Sequence, residues 1–197
     1  MGDDPLATLR LRAGHYASTF IMKVLFVALS WVLLFQLNNY LFSGISVNNL
    51  VCWIFLPAFI RMLAVMIFEF AGALGLVLGA YISRDLTLAH SLTPIVLALI
   101  SGIGPYLSMK LCQRSFSLPE SFDGLRPQHL FIFAIAGGVV NAGLNHVYYH
   151  IAKIDYSVTN TLIPMMIGDF IGTLLMLYLA ALIIRALRYY FQSPQSK

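Results

Sequence analysis

Charged residues are scarce in this chain. Only 10% of its 197 residues are Asp, Glu, Lys or Arg, whereas 59% are hydrophobic, and the mean hydropathy is +0.82. A soluble domain usually carries about 25% charged residues, so this deficit argues against a soluble fold. Apolar runs of membrane-spanning length recur along the sequence. We therefore predict a helical protein embedded in a lipid bilayer.

Cysteine and the common catalytic motifs are also scarce. We place the two cysteines, Cys52 and Cys112, near opposite membrane faces and predict no disulfide between them. No phosphate-binding glycine loop occurs, and no Ser/His/Asp grouping falls at one depth, so we predict that the protein is not an enzyme. The net charge of +4 comes from basic residues at the ends of apolar segments, which predicts no nucleic-acid binding.

Six hydrophobic segments predict an all-α membrane bundle of about six transmembrane helices. They cover residues 17–42, 49–69, 71–83, 87–111, 128–151 and 158–189. The third is short for a span, which usually takes about 20 residues, and we expect a tight turn at Glu69–Gly72 before it. The transmembrane domain then covers 17–191, between an N-terminal tail, 1–16, and a C-terminal tail, 192–197.

The distribution of basic residues predicts that both tails lie in the cytoplasm. With six spans, nine basic residues fall on the inner side: Arg10, Arg12, Lys23, Lys110, Arg114, Arg126, Arg185, Arg188 and Lys197. The outer loops hold only Arg84 and Lys153. Lys and Arg are in excess in the cytoplasmic loops of membrane proteins. We therefore predict a multi-pass protein of the bacterial inner (cytoplasmic) membrane, in contact with its lipid bilayer.

Two opposite charges lie deep inside the predicted segments. Counted from the outer face, Arg61 is about twelve residues into the second segment and Asp169 about eleven into the sixth, which places both ~16–18 Å below the surface. A charge at this depth costs at least ~2.5–3.5 kcal/mol on insertion scales. We predict that the two residues pair. The pair either locks two helices together or forms a site where an anionic ligand contacts Arg61.

The fifth segment adds polar side chains at a similar depth. Asn141, Asn145 and Tyr149 are four residues apart and share one helix face. We predict that the two asparagines belong to the ligand-binding site of the central pair. His146 and His150 have a spacing that can bind a metal or haem, but they lack a third ligand and are only weak candidates. The sequence identifies no cofactor.

Small residues recur at a four-residue spacing in three of the segments. They are Ala71, Gly75 and Gly79, then Gly138 and Ala142, then Gly168 and Gly172. This spacing lets helix backbones approach closely and predicts compact packing within the monomer. Pro57 and Pro164 lie in the outer halves of the helices that carry the two charges. Because carbonyls freed by proline must be buried in protein or wet, we expect a polar cavity open to the outside.

Two stretches carry a resemblance to a known family. Trp53, Pro57 and Ala58 form a W-x-x-x-P-A segment followed by the glycine-rich stretch 71–80, and Gly168 to Gly172 form a G-D-x-x-G motif. Together they resemble the MASE-type membrane-associated sensor domains of bacterial signalling proteins. The resemblance implies a non-enzymatic module that senses or binds a small-molecule ligand. Those domains usually have more helices and precede an output domain, so we expect this chain to act through a separate partner protein.

Two alternative functions remain open at this point. In size, topology and small-residue contacts the chain also resembles the substrate-binding subunits of energy-coupling-factor importers, which have six helices and an outward pocket. No shared motif carries their binding residues onto this sequence. The other alternative is an accessory subunit that scaffolds a larger membrane complex. A neighbouring gene for a signalling enzyme would favour the sensor, whereas genes for transport ATPases would favour the importer.

Overall fold

The structure is almost entirely helical. A computed structural model describes residues 5–48, 51–84, 92–116, 126–154 and 157–192. It contains α1 (Pro5–Phe42), α2 (Pro57–Ile82), α3 (Thr93–Ser115), α4 (Pro127–Ile151) and α5 (Ile163–Gln192). Two short antiparallel strands, β1 (Ser46–Asn48) and β2 (Val51–Cys52), precede α2, and one π-helical turn (Val158–Leu162) leads into α5. All five helices are long and apolar enough to cross a membrane. The prediction of an all-α protein with membrane-type helices is confirmed.

The first helix begins well before the first predicted hydrophobic segment. We predicted a polar tail over residues 1–16, but α1 starts at Pro5. Hydropathy marks where hydrocarbon begins and not where a helix begins, which explains the difference. Proline suits the first turn of a helix because its missing N–H needs no partner there, and no further proline interrupts the following turns.

The second helix folds back on itself at Glu69. Its backbone angles, φ 47° and ψ −120°, are far from helical values. A Cβ atom on Gly72 would collide with the carbonyl oxygen of Ala64, although residues eight apart in a straight helix are separated by about 12 Å. α2 is therefore a helical hairpin. Its two arms, 57–68 and 70–82, are each roughly 18–20 Å long.

This hairpin changes the predicted count of helices. The second and third segments form two arms of one element, so the described residues form five long helices and not six. The reversal lies at the turn that we predicted over Glu69–Gly72. The predicted start of the second segment, residue 49, lies outside the described residues. The described residues 51–56 are not helical, and the helix begins at Pro57. Pro57 thus begins a helix, where its missing N–H is harmless, and does not interrupt one.

Close contacts fix the direction of the second arm of α2. A Cβ atom on Gly75 would lie 2.6 Å from Cβ of Val27, and one on Gly79 would lie 2.8 Å from Cβ of Trp31. Residue numbers rise together along the two elements, so this arm runs parallel to α1. The first arm therefore runs antiparallel to both.

The remaining helices alternate in direction. Tyr148 donates a hydrogen bond to Oγ1 of Thr93 at 2.9 Å, and Ser108 Oγ lies 3.5 Å from the carbonyl oxygen of Ala136, so α3 and α4 are antiparallel. A short connection then returns the chain from α4 to α5. As a result, the start of α1 and the end of α5 lie at the same end of the bundle.

The small residues lie where helices touch, as predicted. A Cβ atom on Gly168 or Gly172 would collide with the backbone before α2. One on Gly138 would lie 3.2 Å from the carbonyl oxygen of Met166. These contacts confirm compact packing within the monomer. Cys52 is partly buried and Cys112 is buried, and both are free cysteines.

The outer surface of the bundle is apolar. Phe26 and Leu33 of α1 are each 62% exposed, and similar side chains cover the other helices. Monomeric soluble proteins rarely expose large contiguous apolar patches. The buried centre is also apolar and includes Val65, Leu76 and Phe133. A molecule that is apolar both inside and outside is compatible with a multi-pass membrane protein.

Candidate functional site

Arg61 and Asp169 form an ion pair in the middle of the bundle. Nη1 of Arg61 donates to Oδ2 of Asp169 at 2.7 Å. Their side chains are only 11% and 5% exposed. The pairing that we predicted from their matched depths is therefore confirmed. Burial of both charges makes the pair expensive unless further hydrogen bonds satisfy it.

A non-helical segment, 53–56, positions Arg61 against α5. The N–H of Phe55 donates to the carbonyl oxygen of Gly168 at 3.0 Å. A Cβ atom on Gly168 would collide with the carbonyl oxygen of Cys52, and one on Gly172 with that of Phe55, so only glycine allows the two backbones to touch. The G-D-x-x-G motif thus has a physical explanation. Its glycines hold the segment that leads into α2, and Asp169 between them meets Arg61.

Asn38 of α1 holds the other side of the same segment. Its Oδ1 accepts a hydrogen bond from the N–H of Leu56 at 2.8 Å. Asn38 is 3% exposed, and Leu56 is equally buried. The bond satisfies a backbone donor just before the first turn of α2. Nothing in the sequence distinguishes Asn38 from its exposed neighbour Asn39 as a positioning residue.

Two asparagines extend the polar network along α4. Nδ2 of Asn141 donates to Oδ2 of Asp169 at 2.7 Å, and Nδ2 of Asn145 donates to the carbonyl oxygen of Asn141 at 2.8 Å. Both side chains are buried. The structure therefore brings all four predicted site residues together. Asn145 reaches the ion pair only through Asn141.

Two aromatic rings flank the guanidinium of Arg61. Its Cζ atom lies 5.2 Å from the ring centroid of Trp31 and 5.0 Å from that of Phe55. Such cation–π contacts are worth about 2 kcal/mol or more when desolvated. In the sequence these two residues look like ordinary aromatics of an apolar run. Only the fold reveals that they face a charge.

Arg84 lies near the site, although we predicted it in an outer loop. It follows the last turn of α2, whose second arm packs through Gly79 on Trp31. The Nε atom of Arg84 is buried. Because Gly79 packs on Trp31 and Arg61 lies over the ring of Trp31, the second arm of α2 reaches the level of the central pair five residues before Arg84.

Several buried polar atoms lack a hydrogen-bond partner within the described part of the chain. They are Trp31 Nε1, Arg61 Nε, Arg84 Nε, His146 Nδ1 and Thr161 Oγ1. The first three are indole or guanidinium nitrogens, which can only donate. An unsatisfied buried donor costs about 1–3 kcal/mol. At Arg61, the described residues therefore leave its own Nε and the Nε1 of the adjoining Trp31 without an acceptor.

A cavity of about 20 Å³ adjoins the ion pair. Its lining includes Arg61 and Asp169 together with mostly apolar groups, such as Met62 and Phe133. This volume is enough for about one water molecule. We expected a polar cavity open to the outside. The cavity at the pair is smaller and more apolar than that expectation, because Pro57 begins α2 and frees no carbonyl within it.

The two candidate metal ligands on α4 gain no further ligand. His146 is partly buried and His150 is exposed. Among the residues that the structure describes, no three His, Cys, Asp or Glu side chains cluster closely enough to hold a metal ion. The pair therefore stays a weak candidate.

Comparison with known proteins identifies no relative. No family model matches the chain, and neither the curated proteins nor the solved structures gave a match. The resemblance to MASE-type sensor domains thus stays a prediction, and function has to be argued from the site.

Proposed function

We propose that the chain is a non-enzymatic ligand-sensing or small-molecule-binding module of the bacterial inner membrane. The observation that carries this proposal is the buried pair of Arg61 and Asp169, surrounded by unpartnered donors. Apolar residues of similar volume stabilise a protein interior as well as a buried ion pair does, or better. Intramembrane charges mark functional sites for the same reason. A binding role accounts for the cost of this cluster better than a structural role does.

The proposed topology places both chain ends in the cytoplasm. In this scheme α1, α3, α4 and α5 each cross the bilayer once. The hairpin α2 enters from the outer side and returns to it, so the number of crossings remains even. The basic residues support this arrangement, because they concentrate on the side that carries both ends of the chain.

A ligand that contacts Arg61 would compete with Asp169 for its guanidinium. The first arm of α2 would then shift relative to α5, because Arg61 and Asp169 join these two elements. α5 continues to Gln192, and its last turns are largely exposed, with Tyr189 at 82% and Phe191 at 78%. A partner protein bound to those turns would detect the shift. Binding of the ligand and binding of the partner would thus be coupled, because each would favour one of the two arrangements of α5 relative to α2.

Native mass spectrometry after mild solubilisation tests the proposal. We expect the parent protein to retain a small molecule or to be stabilised by one from a metabolite panel. The Arg61→Lys variant should lose this effect, because a lysine cannot replace the planar donor fork of arginine. Arg114→Lys, at the end of α3, is the matched control. A parent protein that retains nothing, and whose melting temperature no compound raises, would contradict the proposal.

A further inference from the structure

We propose that Glu69 is a strained hinge, which releases the first arm of α2 when a ligand separates Arg61 from Asp169. This inference rests on the proposed function, because it names the device through which the same site responds to its ligand. The hinge is the single turn between the two arms of α2. Strain in this turn favours an arrangement in which the first arm has moved away from its neighbours.

The backbone of Glu69 has a conformation that suits glycine. Its angles, φ 47° and ψ −120°, match the first central residue of a type II′ turn, where glycine dominates because the position needs a positive φ. The Glu69 side chain is exposed, and its carboxylate forms no ion pair with a described residue that would offset the strain. Strained residues of this kind persist only where the surrounding structure holds them, and they concentrate in switch regions.

Two aromatic contacts hold Glu69 in this conformation. Phe68, just before it, packs edge-to-face on Phe26 of α1, with the ring centroids 6.1 Å apart. Phe70, just after it, packs in the same way on Tyr106 of α3, with the centroids 6.4 Å apart. The two flanking side chains are thus fixed to different helices, and the chain reverses within one residue. The strain exists only while both arms stay in place.

The ion pair restrains the first arm. Arg61 lies on this arm, and its bond to Asp169 of α5 ties the arm into the closed hairpin. A ligand that takes the guanidinium from Asp169 removes this tie, while the strain at Glu69 remains. A strained residue of this kind shifts an equilibrium by a factor of about 5–150. The first arm therefore moves once its tie to α5 is broken.

Two variants separate the strain at Glu69 from its charge. Glu69→Gly removes both, because glycine adopts a positive φ freely. Glu69→Ala removes the carboxylate but keeps the strain, because a Cβ atom remains. Both variants are made in the full chain with Cys52→Ser, Cys112→Ser and Val65→Cys. Val65 lies on the first arm and has no exposed surface, and cysteine is of similar size.

The rate at which N-ethylmaleimide labels residue 65 in detergent micelles measures how often the hairpin opens. A buried thiol reacts only from an open state, so this rate follows the equilibrium constant for opening. We expect Glu69→Gly to slow the labelling at least about fivefold relative to Glu69→Ala. Native Cys112 of α3, equally buried, is the control in a Cys52→Ser background. In the parent it should react more slowly than residue 65, because the hairpin opens without the rest of the bundle.

The same measurement tests the link between the hinge and the ion pair. Asp169→Asn removes the counter-charge of Arg61 and with it the tie between the first arm and α5. We expect this variant to label faster at residue 65 than the parent does.

Three outcomes would overturn the inference. One is equal labelling of the glycine and alanine variants, and another is labelling of residue 65 that is no faster than that of Cys112. The third is an unchanged rate in the Asp169→Asn variant. None of these outcomes decides whether native mass spectrometry finds a retained small molecule, so the hinge and the proposed function can fail independently.

Discussion

At the scale of single residues, depth in the membrane was the informative quantity. Counting residues from the outer face placed Arg61 and Asp169 at one level, and they pair at 2.7 Å. The same counting placed Arg84 in an outer loop and could not predict that its Nε atom is buried. Trp31 was beyond prediction as well. An aromatic side chain that faces a charge and one that faces lipid have the same local sequence pattern.

Removal of either partner of the central pair should destabilise the protein more than removal of both. Arg61→Leu and Asp169→Leu should each cost ~3–5 kcal/mol, since each leaves a buried charge unpaired, whereas the double variant should be near neutral. Reversible unfolding in mixed micelles measures the difference. Additive costs in the double variant would show that the two side chains do not interact.

Asn38 and Asn39 offer a matched pair of variants on neighbouring positions. Asn38→Leu removes the acceptor of the Leu56 N–H, and an unsatisfied buried donor costs about 1–3 kcal/mol. Asn39 is exposed, so Asn39→Leu should leave the free energy of unfolding nearly unchanged. Equal stability of the two variants would mean that Asn38 does not position the start of α2.

At the scale of elements, sequence patterns located the helices but not their interruptions. The predicted fifth segment, 128–151, agrees with α4 to within one residue. The turn at Glu69 was expected because a short segment follows it. The non-helical stretch before Pro57 was not, because its hydrogen bonds go to Asn38 and Gly168, which are distant in sequence. Local hydropathy holds no information about such partners.

Gly172 tests the close contact between α5 and segment 53–56, and Gly143 is its control. Gly172→Ala should destabilise the protein by ~1–3 kcal/mol, because its Cβ would collide with the carbonyl oxygen of Phe55. Gly143 has open space around it, so Gly143→Ala should be neutral or stabilise α4 by up to about 1 kcal/mol. Melting temperatures of the two variants measure the contrast. If Gly172→Ala melts like the parent, segment 53–56 does not pack on α5 as described.

At the scale of the whole molecule, the distribution of charge and the hairpin lead to one topology. A chain that crosses the membrane six times ends on the side where it starts. A chain that crosses four times and inserts one hairpin also ends there. The prediction that both termini lie on one side of the membrane therefore does not depend on the number of helices. A straight α2 would make five crossings and place the termini on opposite sides.

Labelling of single cysteines distinguishes a folded from a straight α2. In a Cys52→Ser, Cys112→Ser background, Ser157→Cys follows α4 and Ser115→Cys ends α3. With the N terminus inside and α2 folded, a membrane-impermeant thiol reagent added outside intact cells should label residue 157 and not residue 115. A straight α2 reverses both results, because it moves every later loop to the other side. Permeabilised cells provide the control, in which both cysteines should react. Labelling of residue 115 from outside, without labelling of residue 157, would reject the hairpin and with it the proposed hinge at Glu69.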